Sequence, residues 1–238
     1  MKQIDLFLIT LFSFLSIGIT SCSNRGSGFE DGIEVPSGWV DLGLPSGLLW
    51  AECNVGANSP EEFGNYYAWG EITPKEVYNW STYKYCTVNR NGDLLTLSKY
   101  NSRIKYSGYG SQKIDNLTTL QATDDIATVI LGDGVRTPNR KEWEELINCC
   151  DSTWTMQNGV LGLQLTGPNG NSIFLPSAGY RWDDMIDSSG YGFYWSSTVG
   201  PGPQDDAWYF RFKSNDWYWG VLGNPRCNGY SVRAVRQK

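Results

Sequence analysis

Ala207-Trp208-Tyr209-Phe210-Arg211-Phe212-Lys213 is the stretch that decides the fold class. Trp208, Phe210 and Phe212 alternate with Tyr209, Arg211 and Lys213. In an extended chain, successive side chains point to opposite faces, so one face is apolar and the other polar. The alternation predicts a strand whose Tyr209, Arg211 and Lys213 side is open to solvent. Two more strands bracket it, Gly192-Phe193-Tyr194-Trp195-Ser196-Ser197 and Tyr230-Ser231-Val232-Arg233-Ala234-Val235. Upstream, Val160 to Thr166 and Ser172 to Leu175 flank Gly167-Pro168-Asn169-Gly170-Asn171, the composition of a hairpin loop. A first hairpin is expected around Pro45-Ser46-Gly47, between the apolar runs Trp39–Leu44 and Leu48–Ala51. Asn65 to Trp69 reads as an aromatic strand, and residues 75–121 as loops and short strands.

Two helices interrupt this pattern. Thr123-Asp124-Asp125 supplies a cap and first-turn acids for an apolar run that stops at Gly132. The second is expected to start at Thr137 as N-cap with Pro138 in the first helical position. Trp143, Leu146, Ile147 and Cys150 then fall on one helical face. The fold class is α+β: two helices packed on short, mostly antiparallel strands in a loop-rich chain. No repeat at a fixed period occurs.

The N-terminal end reads as an export signal. Lys2 precedes an apolar run from Leu6 to Ile19, followed by Thr20-Ser21-Cys22. That run is too short to cross a bilayer, which takes roughly 20 residues. Ile19-Thr20-Ser21-Cys22 resembles the lipobox of bacterial lipoproteins, which implies acylation of Cys22 after cleavage before it. Three segments follow: a lipoprotein signal peptide over 1–21, a flexible tether over 22–37, and one ligand-binding domain over 38–238. The expected location is the cell envelope, as an outer-membrane lipoprotein. Five cysteines remain beyond Cys22, an odd number, so at most two disulfides form; their connectivity stays open.

Composition closes several function classes. The chain of 238 residues contains no His. A Ser-His-Asp triad, a Cys-His pair and a His-ligated zinc are therefore excluded. A net charge of −6 argues against nucleic-acid binding, because no basic surplus can neutralise phosphates. Eleven Trp, 14 Tyr and 9 Phe supply ample core and exclude a disordered chain. Phosphate-binding glycine motifs are missing, and no cofactor or metal is expected.

Four motifs carry a family resemblance. They are Arg136-Thr137-Pro138-Asn139-Arg140-Lys141-Glu142-Trp143-Glu144-Glu145-Leu146, Leu175-Pro176-Ser177-Ala178-Gly179-Tyr180-Arg181, Tyr194-Trp195-Ser196-Ser197-Thr198 and Gly229-Tyr230-Ser231-Val232-Arg233-Ala234-Val235-Arg236. In this order they resemble the Fibrobacter succinogenes major paralogous domain of bacterial lipoproteins, over roughly residues 38–236. The resemblance implies a C-type-lectin-like fold, in the branch of the formylglycine-generating enzyme. Variable proteins of diversity-generating retroelements share that fold, and the stretch from Gly192 to Arg236 is similar to their diversified region. The enzyme branch uses two nearby cysteines toward the C-terminus; here Cys227 has no such neighbour in sequence.

The candidate ligand surface is Tyr209, Arg211, Lys213, Asn215, Asp216, Trp217, Tyr218, Trp219, Asn224 and Arg226. Large amphipathic rings among hydrogen-bonding heads are what recognition surfaces use. Were Trp217 to Trp219 a strand, the two Trp would share a face. Trp195, Phe212 and Val232 are expected inside. Asp183-Asp184 and Asp205-Asp206 read as solvated loop acids rather than catalytic pairs. The function expected is a non-enzymatic binding protein for a protein or glycan ligand, held on a membrane through Cys22. The alternatives are a carbohydrate-active enzyme using a carboxylate pair and a structural subunit of a surface fibre.

Overall fold

The computed structural model describes residues 38–101, 114–200, 205–214 and 216–238; for Leu95 and residues 216–223 only the backbone is described. The signal segment, the tether, Cys22 and Asn215 lie outside the described residues.

The chain opens on the expected hairpin. Strand β1 (Trp39–Asp41) pairs antiparallel with β2 (Leu49–Asn54). The Gly47 amide closes the turn onto the Leu44 carbonyl at 2.9 Å, and Gly47 at φ 69 takes a conformation that other residues resist. A small hairpin of β3 (Cys86–Val88) and β4 (Leu94–Leu97) follows. Helix α1 (Ile126–Leu131) is capped by Asp125, which accepts from the Ala127 amide. It ends at Gly132, whose φ of 92 stops it. After β5 (Val135–Arg136) comes α2 (Arg140–Cys149).

Helix α2 begins later than the Thr137-Pro138 reading places it. Its N-cap is Asn139, which forms a capping box with Glu142. Thr137 is already committed: its amide and hydroxyl donate to the buried Asp125 carboxylate at 2.8 and 2.6 Å. The helical face itself is as expected. Trp143 and Leu146 are buried, with Ile147 and Cys150 packed against the same cluster.

Strands dominate the remainder. β6 (Asp151–Gln157), β7 (Val160–Thr166) and β8 (Ser172–Pro176) form one antiparallel meander. β9 (Tyr180–Trp182) and β10 (Met185–Asp187) form a two-stranded hairpin. β11 (Tyr191–Val199), β12 (Asp206–Lys213) and β13 (Asp216–Pro225) form a second meander. β14 (Arg233–Arg236) then returns between β2 and β5, giving the sheet order β1-β2-β14-β5. The architecture is α+β, with small antiparallel sheets and two α-helices among the described residues. The expected strand Asn65–Trp69 is instead irregular, tied to the C-terminal segment by Tyr67 pairing with Tyr230 and by the Trp69 amide on the Arg226 carbonyl.

Two cores flank the β11–β12 pair. One packs Trp195, Tyr209, Tyr230, Trp69 and Tyr100; the other packs Trp143, Tyr194, Phe210, Phe212 and Trp50. Trp195 stacks on Tyr230 with ring centroids 4.1 Å apart, and Trp143 stacks on Phe210 at 5.1 Å. Because aromatic surface is supplied to both sides, both faces of β12 are covered over most of its length. This overturns the one-sided burial read from its alternation. Trp195, Phe212 and Val232 are buried, as expected.

Two arginines are fully buried and hold irregular backbone together. Arg233 donates to the Ala51, Glu52 and Phe174 carbonyls and to the Asn54 side chain. Arg226 donates to the carbonyls of Asp206, Lys99 and Tyr100, with its guanidinium 4.9 Å over the Trp69 ring. A buried charge is tolerated only when its donors are satisfied, and here each fork gathers strands or loops from several parts of the chain. All five described cysteines are free thiols, so neither of the two disulfides the cysteine count allows is formed among them.

Candidate functional site

The second meander positions the site. In register, Trp195 stands opposite Tyr209 and Tyr209 opposite Gly220; Phe193 opposite Arg211 and Arg211 opposite Tyr218; Tyr191 opposite Lys213 and Lys213 opposite Asp216. Directly opposed residues share a face. Along this face burial falls off toward the turn. Trp195 and Tyr209 are buried, Arg211 is half-buried and Lys213 is exposed. The sheet thus emerges from the core at its Tyr191–Lys213 end.

That end is built around the Tyr191 ring. The Arg211 guanidinium lies 5.5 Å from its centroid and the Lys213 ammonium 4.5 Å, the range of a cation–π contact. Lys213 also donates to the Tyr191 hydroxyl at 3.3 Å. Tyr191 packs on Phe193, and Phe193 on Tyr180 at 4.8 Å, which joins this edge to the β9–β10 hairpin. An open cavity of about 500 Å³ lies against the hairpin, lined by Tyr180, Trp182, Met185, Asp187, Ser188 and Ser189 among others.

The predicted surface does not form one patch. Arg211 and Lys213 come together, with Asp216 and Tyr218 opposite them in register. Tyr209 is a core residue, 5% exposed, because Trp195, Phe193 and Tyr230 cover it. Arg226 is 0% exposed and serves the core described above. Asn224 is half-buried opposite Ala207, at the other end of the sheet. Six residue steps of strand separate Ala207 from Lys213, roughly 20 Å at the usual rise. Trp217 stands opposite Phe212 and Trp219 opposite Phe210, both positions of the inner cluster. The side chains from Asp216 to Trp219, like residue Asn215, lie outside what is described.

Asp205-Asp206 is not the solvated pair expected. Asp206 is buried, and burial, aided by the neighbouring Asp205 carboxylate against Arg226, pushes its carboxyl up to about 7. Burial raises Asp205 as well. Asp183 is tied down, accepting from the Asn79 side chain at 2.8 Å. A second carboxylate centre is Asp124, which accepts from the Tyr85 and Tyr100 hydroxyls and pairs with Lys99. Its burial works to raise the carboxyl, but Lys99, Tyr100 and Tyr85 outweigh that and hold it below the ordinary range. The Asp124 centre ties Tyr85, Tyr100 and Lys99 together, and Asp206 lies at the Ala207 end of β12, away from Tyr191.

Tyr180, Trp182, Met185 and Tyr191 escape the sequence reading. Their one signal is Trp182 and Met185 flanking Asp183-Asp184, two turn-forming residues that mark a tight hairpin. Among the described residues no three carboxylates or thiols gather as a metal cluster, and no helix is long and apolar enough to cross a membrane. Compared with known proteins, the chain matches no family model, no curated protein and no solved structure.

Proposed function

We propose that the protein is a lipid-anchored, extracytoplasmic binding protein. Its domain is of the C-type-lectin-like kind that the Fibrobacter-type motifs imply, and it works without catalysis. The observation that carries the reading is the emergence of β11–β13 from the core at Tyr191, Arg211 and Lys213, with Asp216 and Tyr218 in register beside them. A rigid sheet supports that edge, and rigid aromatic and arginine positions are the usual centres of a recognition surface. The union of the first and last strands in one sheet, with α2 packed against β11 and β12, supports the fold assignment.

The reading is tested by probing the purified chain on printed arrays of bacterial surface proteins and glycans. An Arg211→Ala/Lys213→Ala variant is expected to lose the ligand found, by tenfold or more on the order of a hot-spot pair, while melting unchanged. Retention of the ligand by the double variant would place recognition elsewhere. Turnover of an array glycan that depends on one carboxylate would convert the reading to an enzyme.

A further inference from the structure

The β9–β10 hairpin presents an apolar face on a rigid frame. Trp182 and Met185 are 54% and 60% exposed on one face, and Ile186, opposite Arg181 on the other, is 48% exposed. Large apolar side chains exposed together on one short hairpin carry a solvation cost, and such patches commonly coincide with binding sites. The hairpin is not a loose loop. Tyr78 and Asp183 exchange backbone hydrogen bonds at 2.8 and 2.9 Å, as do Arg181 and Gly229. Asn79 holds the Asp183 carboxylate in the turn. The Gly179 amide bonds the Tyr191 carbonyl at 2.7 Å.

The register sorts the side chains. Tyr180 stands opposite Asp187, and Trp182 opposite Met185. These four share one face, and all four line the 500 Å³ cavity. Tyr180 is its floor, fixed from behind by Phe193 and Tyr230. Arg181, on the other face opposite Ile186, lies over Tyr66 at 5.7 Å and is not among the residues that line the cavity. The cavity therefore combines an exposed indole, a fixed phenol ring, a thioether, the Asp187 carboxylate and the Ser188 and Ser189 hydroxyls.

Charge narrows the occupant. Asp184 and Asp187 are exposed at the hairpin, and among the described residues no cation lines the cavity. An anionic ligand would be repelled, whether a phosphate, a uronic acid or an acidic bilayer. A second copy docking face to face would oppose the same acids to themselves. A neutral, hydroxylated ring fits: its C–H face stacks on an aromatic ring and its hydroxyls bond carboxylate and serine oxygens. Its volume also falls in the range of small-ligand sites. We propose that this cavity is a saccharide subsite for neutral sugars, with Trp182 as the stacking platform and Asp187 as the principal hydroxyl acceptor. It uses residues other than those of the proposed recognition edge, so the two readings stand or fall separately.

The test is calorimetric titration of the full-length protein with neutral tetrasaccharides of glucose, xylose, mannose and N-acetylglucosamine, and with tetragalacturonate. At least one neutral sugar is expected to bind below about 10 mM, and tetragalacturonate is not. Trp182→Ala should weaken binding by about tenfold or more with the melting temperature unchanged, because the indole is exposed. Asp187→Asn should weaken it while Trp182→Phe retains part, and Arg211→Ala/Lys213→Ala should leave it intact. Failure of every neutral sugar, equal binding by Trp182→Ala, or a Trp182-dependent dimer in sedimentation without sugar binding would each overturn the assignment.

Discussion

Asp206 shows how one residue's environment becomes a measurable property. Its carboxyl lies near 7 in the folded protein against an ordinary 3.8, from burial first and the Asp205 charge second. The folded chain therefore keeps a proton that the unfolded chain has lost between about pH 4 and pH 7. The sign follows: stability from this group falls as pH rises through that window and levels off above it. Asp206→Asn keeps the neutral form at every pH. Chemical denaturation should show the wild type losing about 1–2 kcal/mol relative to that variant between pH 5 and pH 8. A difference that stays constant across the window would mean Asp206 titrates in the ordinary range. Tyr209 and Arg226 teach the complementary lesson. Both look like contact residues by type, yet Tyr209 completes an aromatic cluster and Arg226 satisfies three carbonyls.

Among the elements, the β9–β10 hairpin depends on one glycine. Gly179 sits at φ 69, and a Cβ there would meet the Asp187 carbonyl oxygen at 1.7 Å. Backbone cannot step aside as a flexible side chain can. Gly179→Ala is expected to displace the hairpin from β11 and to cost at least about 1 kcal/mol. Amide exchange should quicken at Trp182 and Met185 while the amides of β7 and β8 keep their protection. Unchanged exchange at the hairpin would refute this dependence. Helix α2 illustrates how cap signals compete. Thr137 and Asn139 both suit an N-cap, and the choice went to Asn139 because the buried Asp125 recruits Thr137. That carboxylate needs donors: burial raises its carboxyl while the Thr137 and Ala127 bonds oppose the rise.

At the scale of the whole molecule, the proposed lipid anchor would govern where the proposed binding edge is displayed. On the proposed anchoring, Cys22→Ala should move the protein from the membrane to the soluble fraction, because acyl chains on Cys22 would be what holds it there. Continued sedimentation with membranes after that change would remove the anchor from the account. The residues alone determined the α+β class, the first hairpin, the buried face of α2 and the strands β7, β8, β11 and β12, because these depend on local periodicity and turn chemistry. Periodicity says which positions share a face but not how many faces are covered. Only the packing of two aromatic cores on either side of β11–β12 decided that Tyr209 is inside. Cap chemistry could not say that Asp125 would claim Thr137, since those residues lie twelve apart and meet only in the fold. Nor could composition distinguish Trp182, exposed on a pinned hairpin, from the buried indoles of Trp50, Trp69, Trp143 and Trp195. Burial of a ring depends on what long-range pairing brings over it, and that is a property of the tertiary structure.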